Sequence, residues 1–252
     1  MIVIGTSGWQ YRDWRDRFYP RELRTEDWLR FFSRHFPSVE VNNSFYRLPS
    51  AESFGRWAAQ VPDGFIIAVK ASRYITHVKR LKEPAEPLAL LWERMQPLGD
   101  RRGPVLLQLP PRFEPDAGRL QAVLDALPNG MQLAVELRDR RWERDDIFAM
   151  LDAAGAAFVY ADRPRAQVPD IQTGGWSYIR FHQGSSSGPG YDRRKLERWA
   201  DRIAGLDGDV YVYFNNDPTG AAIRDARTLF RLLEARGCSL LRIDADEPAA
   251  VH

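Results

Sequence analysis

Apolar residues recur along this chain in two alternating rhythms. Short β-branched or aliphatic runs predict strands at 2–6, 38–42, 65–70, 104–109, 132–138, 157–161, 177–182 and 210–215. Longer stretches with apolar residues three and four apart predict helices at 25–35, 51–60, 87–95, 116–127, 144–153, 193–203 and 221–236. In "AGRLQAVLDAL", Leu120, Val123, Leu124 and Leu127 recur at helical spacing. In "DVYVYFNN", Tyr211 and Tyr213 alternate with Val210, Val212 and Phe214 at the period of a strand. Only the connection after the sixth strand is ambiguous. Strands alternating with helices imply parallel βαβ units. No Pro/Gly/Ser-rich linker splits the chain, so a single (β/α)8 barrel over 1–252 is the expected α/β fold. An open doubly wound sheet would call for a glycine-rich phosphate turn after an early strand, and "GTSGW" at 5–9 is not G-x-G-x-x-G.

A barrel of this type carries its chemistry at the carboxyl ends of its strands, and polar residues gather there. Strand one ends in Thr6 and Ser7, and strand two carries Glu40 and Asn42 on one face. Strand three ends in Lys70, and Gln108 interrupts an apolar run on strand four. Glu136 and Arg138 share a face of strand five, Arg180 and His182 a face of strand seven, and strand eight ends in Tyr213 and Asn215. Charges in a barrel core are costly unless paired. The cluster is therefore either a buried ion-pair network or a polar pocket at the barrel mouth, and the pocket is the reading preferred here.

In the pocket reading Glu136 accepts a proton while Lys70 or His182 donates one. Ser7, Glu40, Asn42, Gln108, Arg138, Arg180, Tyr213 and Asn215 bind substrate, with Thr6, Trp9, Tyr11 and Tyr46 walling the rim. Lys70 is also a candidate Schiff-base nucleophile, but neighbouring carboxylates are expected to raise its pKa and oppose that role. Arg138 and Arg180 suit bidentate contact with phosphate or carboxylate. In "NNDPTGAA", Asp217 and Pro218 read as the N-cap and first position of a helix whose N–H groups attract anions, although Asp217 itself competes for them.

Composition narrows the classes. The 36 basic and 34 acidic residues nearly balance, giving no global nucleic-acid signature. The run "KASRYITHVKRLK" at 70–82 is nevertheless purely basic, and with Trp9, Tyr11, Trp14, Tyr46, Tyr74 and Trp142 it forms a conceivable platform for a single strand. Nucleic-acid binding or phosphodiester cleavage is thus the alternative to a hydrolase or lyase acting on a small anion. Glu40, Glu136, Asp162 and His182 would have to converge to hold a metal, with no H-x-H, H-E-x-x-H or cysteine pair to support them. No metal or other cofactor is expected. Cys238 is the lone cysteine, no apolar run approaches a membrane span, and no signal peptide is evident, so a cytoplasmic location is expected. The flexible stretch "SSSGPG" lies in the loop 184–190, a lid candidate. The sequence leaves the oligomeric state open.

The motifs "GTSGW-x-Y-x-x-W", "EVNNSFYRLP", "VKASRYITH", "LLQLPPRF", "VELRDRRW", "YIRFH" and "VYFNND" occur in that order. Together they resemble the domain-of-unknown-function 72 family, the YecE-like proteins, over about 2–236. The resemblance implies a TIM-type barrel and supplies no reaction. Two departures stand out. Asp139 and Arg141 replace the histidine and small residue usual after the fifth strand, and Gln183 is inserted after His182.

Overall fold

The computed structural model describes residues 1–163, 168–183 and 188–243. Eight parallel strands close into one barrel in chain order: β1 (Ile2–Ser7), β2 (Ser38–Val41), β3 (Ile66–Lys70), β4 (Arg102–Gln108), β5 (Leu133–Glu136), β6 (Ala157–Asp162), β7 (Ser177–Phe181) and β8 (Val210–Phe214). The seam is β1 on β8, with Ile2 opposite Val210 and Thr6 opposite Phe214. Seven α-helices are present among the described residues: α1 (Trp28–Ser33), α2 (Ala51–Ala58), α3 (Ala85–Met95), α4 (Ala117–Asp125), α5 (Asp145–Ala153), α6 (Arg193–Ala204) and α7 (Ala221–Glu234). None of these helices is long and apolar enough to cross a membrane. The described part of the β6–β7 connection contains no helix, which accounts for the missing periodicity there.

Local chemistry fixes the helix starts. Ser50, Asp116 and Asp192 accept hydrogen bonds from the backbone N–H three residues on, capping α2, α4 and α6. The apolar stripe of α4, Leu120, Val123 and Leu124, and that of α6, Leu196, Trp199 and Ile203, are buried against the barrel wall. The expected cap at Asp217 is not formed. α7 begins at Ala221 with Gly220 as its N-cap at φ 70°, a left-handed position that suits glycine. The side chain of Asp217 instead accepts from Trp14 Nε1 at 2.5 Å, and the N–H of Thr219 is taken by Asp13 at 2.8 Å. The helix start expected at Asp217 and Pro218 is thus displaced to Gly220 and Ala221.

Alternation along each strand separates two cores. Ile2, Ile4, Val39, Val41, Ile67 and Val69 face outward under the helices. Val3, Ala68, Leu106, Ala134, Val159, Tyr178 and Tyr213 face inward. The inward rows end at the mouth in Ser7, Glu40, Lys70, Gln108, Glu136 and Arg180, and all six are buried. The expected strands overran here: Asn42, Arg138, His182 and Asn215 lie just past the strand ends. The ladder still reaches His182 and Asn215, whose N–H groups donate to the carbonyls of Asp162 and Phe181 at 3.0 and 2.8 Å.

The close approach of β1 to β2 depends on Gly5. A Cβ there would lie 2.1 Å from the Ser38 carbonyl oxygen and 3.3 Å from the Tyr213 ring. Both are fixed by the sheet and the inner core. Gly5→Ala is expected to lower stability by more than about 3 kcal/mol through overpacking and a distorted β1–β2 pair. Chemical denaturation of the variant checks this, and an unchanged midpoint would contradict the register.

Candidate functional site

The deepest element of the mouth is an ion pair. Arg180 donates from Nε to Glu40 Oε2 at 2.9 Å and from Nη2 to Glu40 Oε1 at 2.7 Å. Ser7 Oγ and Tyr178 Oη complete the shell of Glu40 at 2.6 and 2.7 Å. Burial pushes the Glu40 carboxyl up, but Arg180 and these hydrogen bonds more than reverse it and hold it below its ordinary value. Burial disfavours the charge on Arg180, and the two flanking carboxylates outweigh it, raising its pKa. The third guanidinium nitrogen, Nη1, donates to Glu136 Oε2 at 2.6 Å. Each of the three nitrogens of Arg180 thus bonds a carboxylate, and the side chain is buried. This geometry runs against the expectation that it clamps an external anion, because the guanidinium is buried and each of its nitrogens is already committed to a carboxylate.

Glu136 is held from one side only. Its Oε2 accepts from Arg180 and from Gln108 Nε2 at 2.8 Å. Its Oε1 is buried and has no hydrogen-bond partner among the described residues. His182 Nε2 lies 3.5 Å and Arg138 Nε 3.6 Å from Oε1, long for hydrogen bonds, and both of these nitrogens likewise have no hydrogen-bond partner among the described residues. Burial pushes Glu136 up, but the charge of Arg180 and the neighbouring donors take its carboxyl well below the usual range. It is a carboxylate at any neutral pH.

His182 is oriented by Asn215, whose Nδ2 lies 3.2 Å from Nδ1. With the amide nitrogen as donor, Nδ1 is the acceptor and the proton sits on Nε2, facing Glu136. Burial, reinforced by Arg180 and Arg138, lowers the His182 pKa despite the opposing pull of Glu136, and so favours the neutral ring.

Lys70 reaches the cluster through an amide. Its Nζ donates to Gln108 Oε1 at 2.9 Å and lies 4.2 Å from the centre of the Phe45 ring. Burial, followed by the charge of Arg180, outweighs Glu40 and Glu136 and lowers Lys70 to about 8. The carboxylates do raise this pKa as expected, but they do not decide it: Gln108 stands between Lys70 and Glu136, neither carboxylate pairs with it directly, and burial with Arg180 outweighs both. Arg138 is the most open member of the set, its side chain 33% exposed. Arg163 lies close enough to depress the Arg138 pKa, after burial and against Glu136. The basic loop contributes to the same field, since His77 is lowered by burial and then by Lys70, Arg73, Arg138 and Arg80.

Ser7, Glu40, Lys70, Gln108, Glu136, Arg138, Arg180, His182 and Asn215 are brought together as expected. Asn42 stands beyond β2 with its Oδ1 buried and without a hydrogen-bond partner among the described residues. Others are not part of the mouth. Thr6 faces outward and donates to the Gly8 carbonyl at 2.7 Å. The Tyr213 hydroxyl pairs with Ser38 Oγ at 2.7 Å inside the barrel, and Trp9 is buried edge-on against Trp57. Tyr11 donates its hydroxyl to the Ser7 carbonyl. Trp14 and Trp142 are buried, so of the aromatics read as a platform only Tyr46 and Tyr74 are well exposed. Asp162 points away from the mouth and pairs with Lys195 of α6 at 2.7 Å, which removes it from any metal set with Glu40, Glu136 and His182. Residues 184–187 of the lid candidate lie outside the described residues. Phe45 and Tyr178 were missed. Tyr178 was readable, being two residues before Arg180 on the same strand face, whereas Phe45 is delivered by a short 3-10 turn after β2 that has no periodic signature.

Three comparisons bear on this arrangement. A family model described as "Protein of unknown function DUF72" matches residues 3–250. The UPF0759 protein YunF of Bacillus subtilis is 26% identical over an alignment of 272 positions that covers 93% of this chain and 95% of YunF. The UPF0759 protein YecE of Escherichia coli K12 is 34% identical over 139 residues, 55% of this chain and 48% of YecE. Among solved structures, a DUF72 family protein from Thermotoga maritima superposes with a TM-score of 0.83 at 28% identity, covering 93% of this chain and 99% of that one. One from Enterococcus faecalis has a TM-score of 0.80 at 19% identity with both chains fully covered, a likeness of fold alone.

The two carboxylates of the mouth differ in what they hold. Glu40→Gln is expected to cost about 3–5 kcal/mol, because it breaks the bidentate pair of a fully buried guanidinium. Glu136→Gln is expected to cost less, because Arg180 keeps both bonds to Glu40. Thermal unfolding of the two variants side by side checks the order. Equal losses would mean that Glu136 is as structural as Glu40.

Proposed function

The chain belongs to the DUF72 family, and from its mouth chemistry we propose that it is an enzyme acting by proton transfer on a small anionic substrate, with Lys70 as the titrating group. One observation carries this reading: three buried polar atoms, Glu136 Oε1 and, within 3.6 Å of it, His182 Nε2 and Arg138 Nε, have no hydrogen-bond partner among the described residues. Leaving buried polar atoms unpaired costs about 1–3 kcal/mol each, a cost that a ligand would relieve. Glu136 Oε1 is an acceptor only, so it calls for a hydroxyl or water donor. Arg138 calls for an acceptor, and its exposed flank with Lys70 and Arg163 favours phosphate or carboxylate.

The roles differ from those the strand-end pattern suggested. A carboxylate held as low as Glu136 is a weak base, and its part is electrostatic, orienting the Nε2–H of His182 and the donor of the substrate. A general acid or base works best with a pKa near the operating pH. Lys70, at about 8, meets that condition. Phe45 packs against its ammonium and keeps water from one side. Hydrolase and lyase chemistry both remain consistent with such a group.

The test uses the chain's four lysines, Lys70, Lys79, Lys82 and Lys195, whose side-chain nitrogen signals are few enough to assign. Lys70 is expected to titrate near 8, and inorganic phosphate to raise that value in the wild type but not in Arg138→Met. A Lys70 that titrates with the ordinary lysines and ignores phosphate would remove the basis of the proposal.

A second reading rests on a separate observation. Tyr46, Tyr74, Val78 and Leu90 are exposed, Tyr46 by 74%, and three of the four lie in the mouth loops after β2 and β3. The segment 74–78 forms a π-helical turn, and Arg80, Leu81 and Glu83 follow with positive φ, a strained conformation typical of binding loops. Tyr46 and Tyr74 beside Arg47 and Arg73 would suit a single-stranded nucleic acid. Fluorescence anisotropy with a labelled oligonucleotide is expected to give salt-dependent binding that Tyr46→Ala with Tyr74→Ala weakens about tenfold or more. Binding indifferent to both tyrosines would dismiss this reading.

A further inference from the structure

A cavity of about 360 Å³ lies on the outer wall of β1, away from the mouth. Its sides are the end of α1, one face of α7 and the segment 241–243. Ile4, Phe36 and Phe230 give it an apolar floor, and Arg34, Arg227, Arg231 and Arg242 surround that floor. Of these four arginines only Arg242 has an ion pair among the described residues, with Glu234. Arg227 and Arg231 sit one turn apart on α7, a like-charged pair that is unfavourable in isolation.

The cations are also held in place. The Arg227 guanidinium lies 5.5 Å from the centre of the Phe18 ring and 6.0 Å from that of Phe36. Arg231 Nε donates to the Arg227 carbonyl at 3.2 Å. His35 shares the cavity wall and is wedged edge-on between Phe18 and Phe31, with ring centres 5.3 and 4.7 Å away. Burial first, then Arg227 and Arg34, lowers the His35 pKa.

We infer that this cavity is a second ligand site, distinct from the mouth, for a phosphorylated small molecule with an apolar or aromatic body. The planar forks of Arg34, Arg227 and Arg231 suit phosphate oxygens, and the floor of Ile4, Phe36 and Phe230 suits the body. The size is ordinary for such a ligand, since small-molecule pockets start near 300 Å³. The inference does not rest on the mouth chemistry and stands or falls separately from it.

His35 provides the readout. The chain has four histidines, so the imidazole NMR signals are few. In the full chain, adenosine diphosphate is expected to raise the His35 pKa by about one unit, as an anion beside the ring should. Pyrophosphate, lacking the body, is expected to do so only at higher concentration. Arg227→Met with Arg231→Met is expected to weaken adenosine diphosphate at least about tenfold while leaving the melting temperature unchanged or higher. Three results would overturn the inference. His35 would respond to neither probe, or it would respond equally in the double variant. Alternatively, it would respond only in a chain ending at Ile243, which would make Asp244, Asp246 and Glu247 the counter-charge.

Discussion

The Glu40–Arg180 pair is the constraint on which the mouth depends. It replaces the branched apolar residues that would ordinarily fill the top of a parallel barrel. Burying two such charges is tolerable only when every strong donor and acceptor is used, and here the pair is nearly saturated. Ser7 and Tyr178 satisfy the remaining lone pairs of Glu40. Nη1 of Arg180 then reaches Glu136 and fixes which carboxylate oxygen is committed and which is left over. The pair is thus a foundation, and the reactive edge of the cluster is what its geometry leaves unpaired. A hydrophobic plug of equal volume would stabilise the barrel at least as well. That comparison favours a role for the charges beyond holding the fold.

Gln108 decides the character of Lys70. An amide accepts through one end and donates through the other, so Gln108 takes a bond from Lys70 while giving one to Glu136. A carboxylate at the same position would pair with the ammonium directly and push its pKa up. With the amide between them, Lys70 gains little Coulombic stabilisation, while burial and Arg180 act against its charge. One neutral residue in the register position opposite Glu136 therefore separates an inert ion pair from a lysine whose pKa burial lowers to about 8.

Much of the scaffold was legible in the sequence because it is periodic. Eight strands and seven helices were readable from spacings of two and of three or four, and the strand-end cluster followed from counting outward along each inward row. Details governed by non-periodic contacts were not. Nothing local says that Thr6 turns outward to Gly8 rather than inward, since a one-residue offset at a strand end reverses the face. Asp217 looks like a helix cap because Pro218 follows it, yet a tryptophan distant in sequence captures its carboxylate. The partition of Arg180 between two carboxylates depends on three strands at once. Family resemblance agreed with the periodic part and said nothing about pairing.

The aromatic loop after β1 acquires a different meaning from this geometry. Trp14 packs against Tyr11, Phe18, Tyr19 and Phe32, and its indole nitrogen is spent on Asp217 in the loop after β8. Asp13 bonds the N–H of Thr219 in that same loop. The first and last loops of the barrel are thereby clasped across the seam where β8 meets β1. Burial, with Asp13 nearby, raises Asp217 to about 7 despite the bond from Trp14. An acid whose pKa is raised by folding favours the native state in its protonated form. The stability linked to this group is therefore fully present below about pH 4, the ordinary aspartate range, and is lost as pH rises from there to about 7, even though the Trp14 bond itself favours the carboxylate. Tyr11 connects this seam to the mouth, since its hydroxyl donates to the carbonyl of Ser7, whose side chain in turn donates to Glu40. The loop is rich in aromatics because it fastens the barrel closure to the buried ion pair, and its rings are occupied in doing so before any ligand arrives.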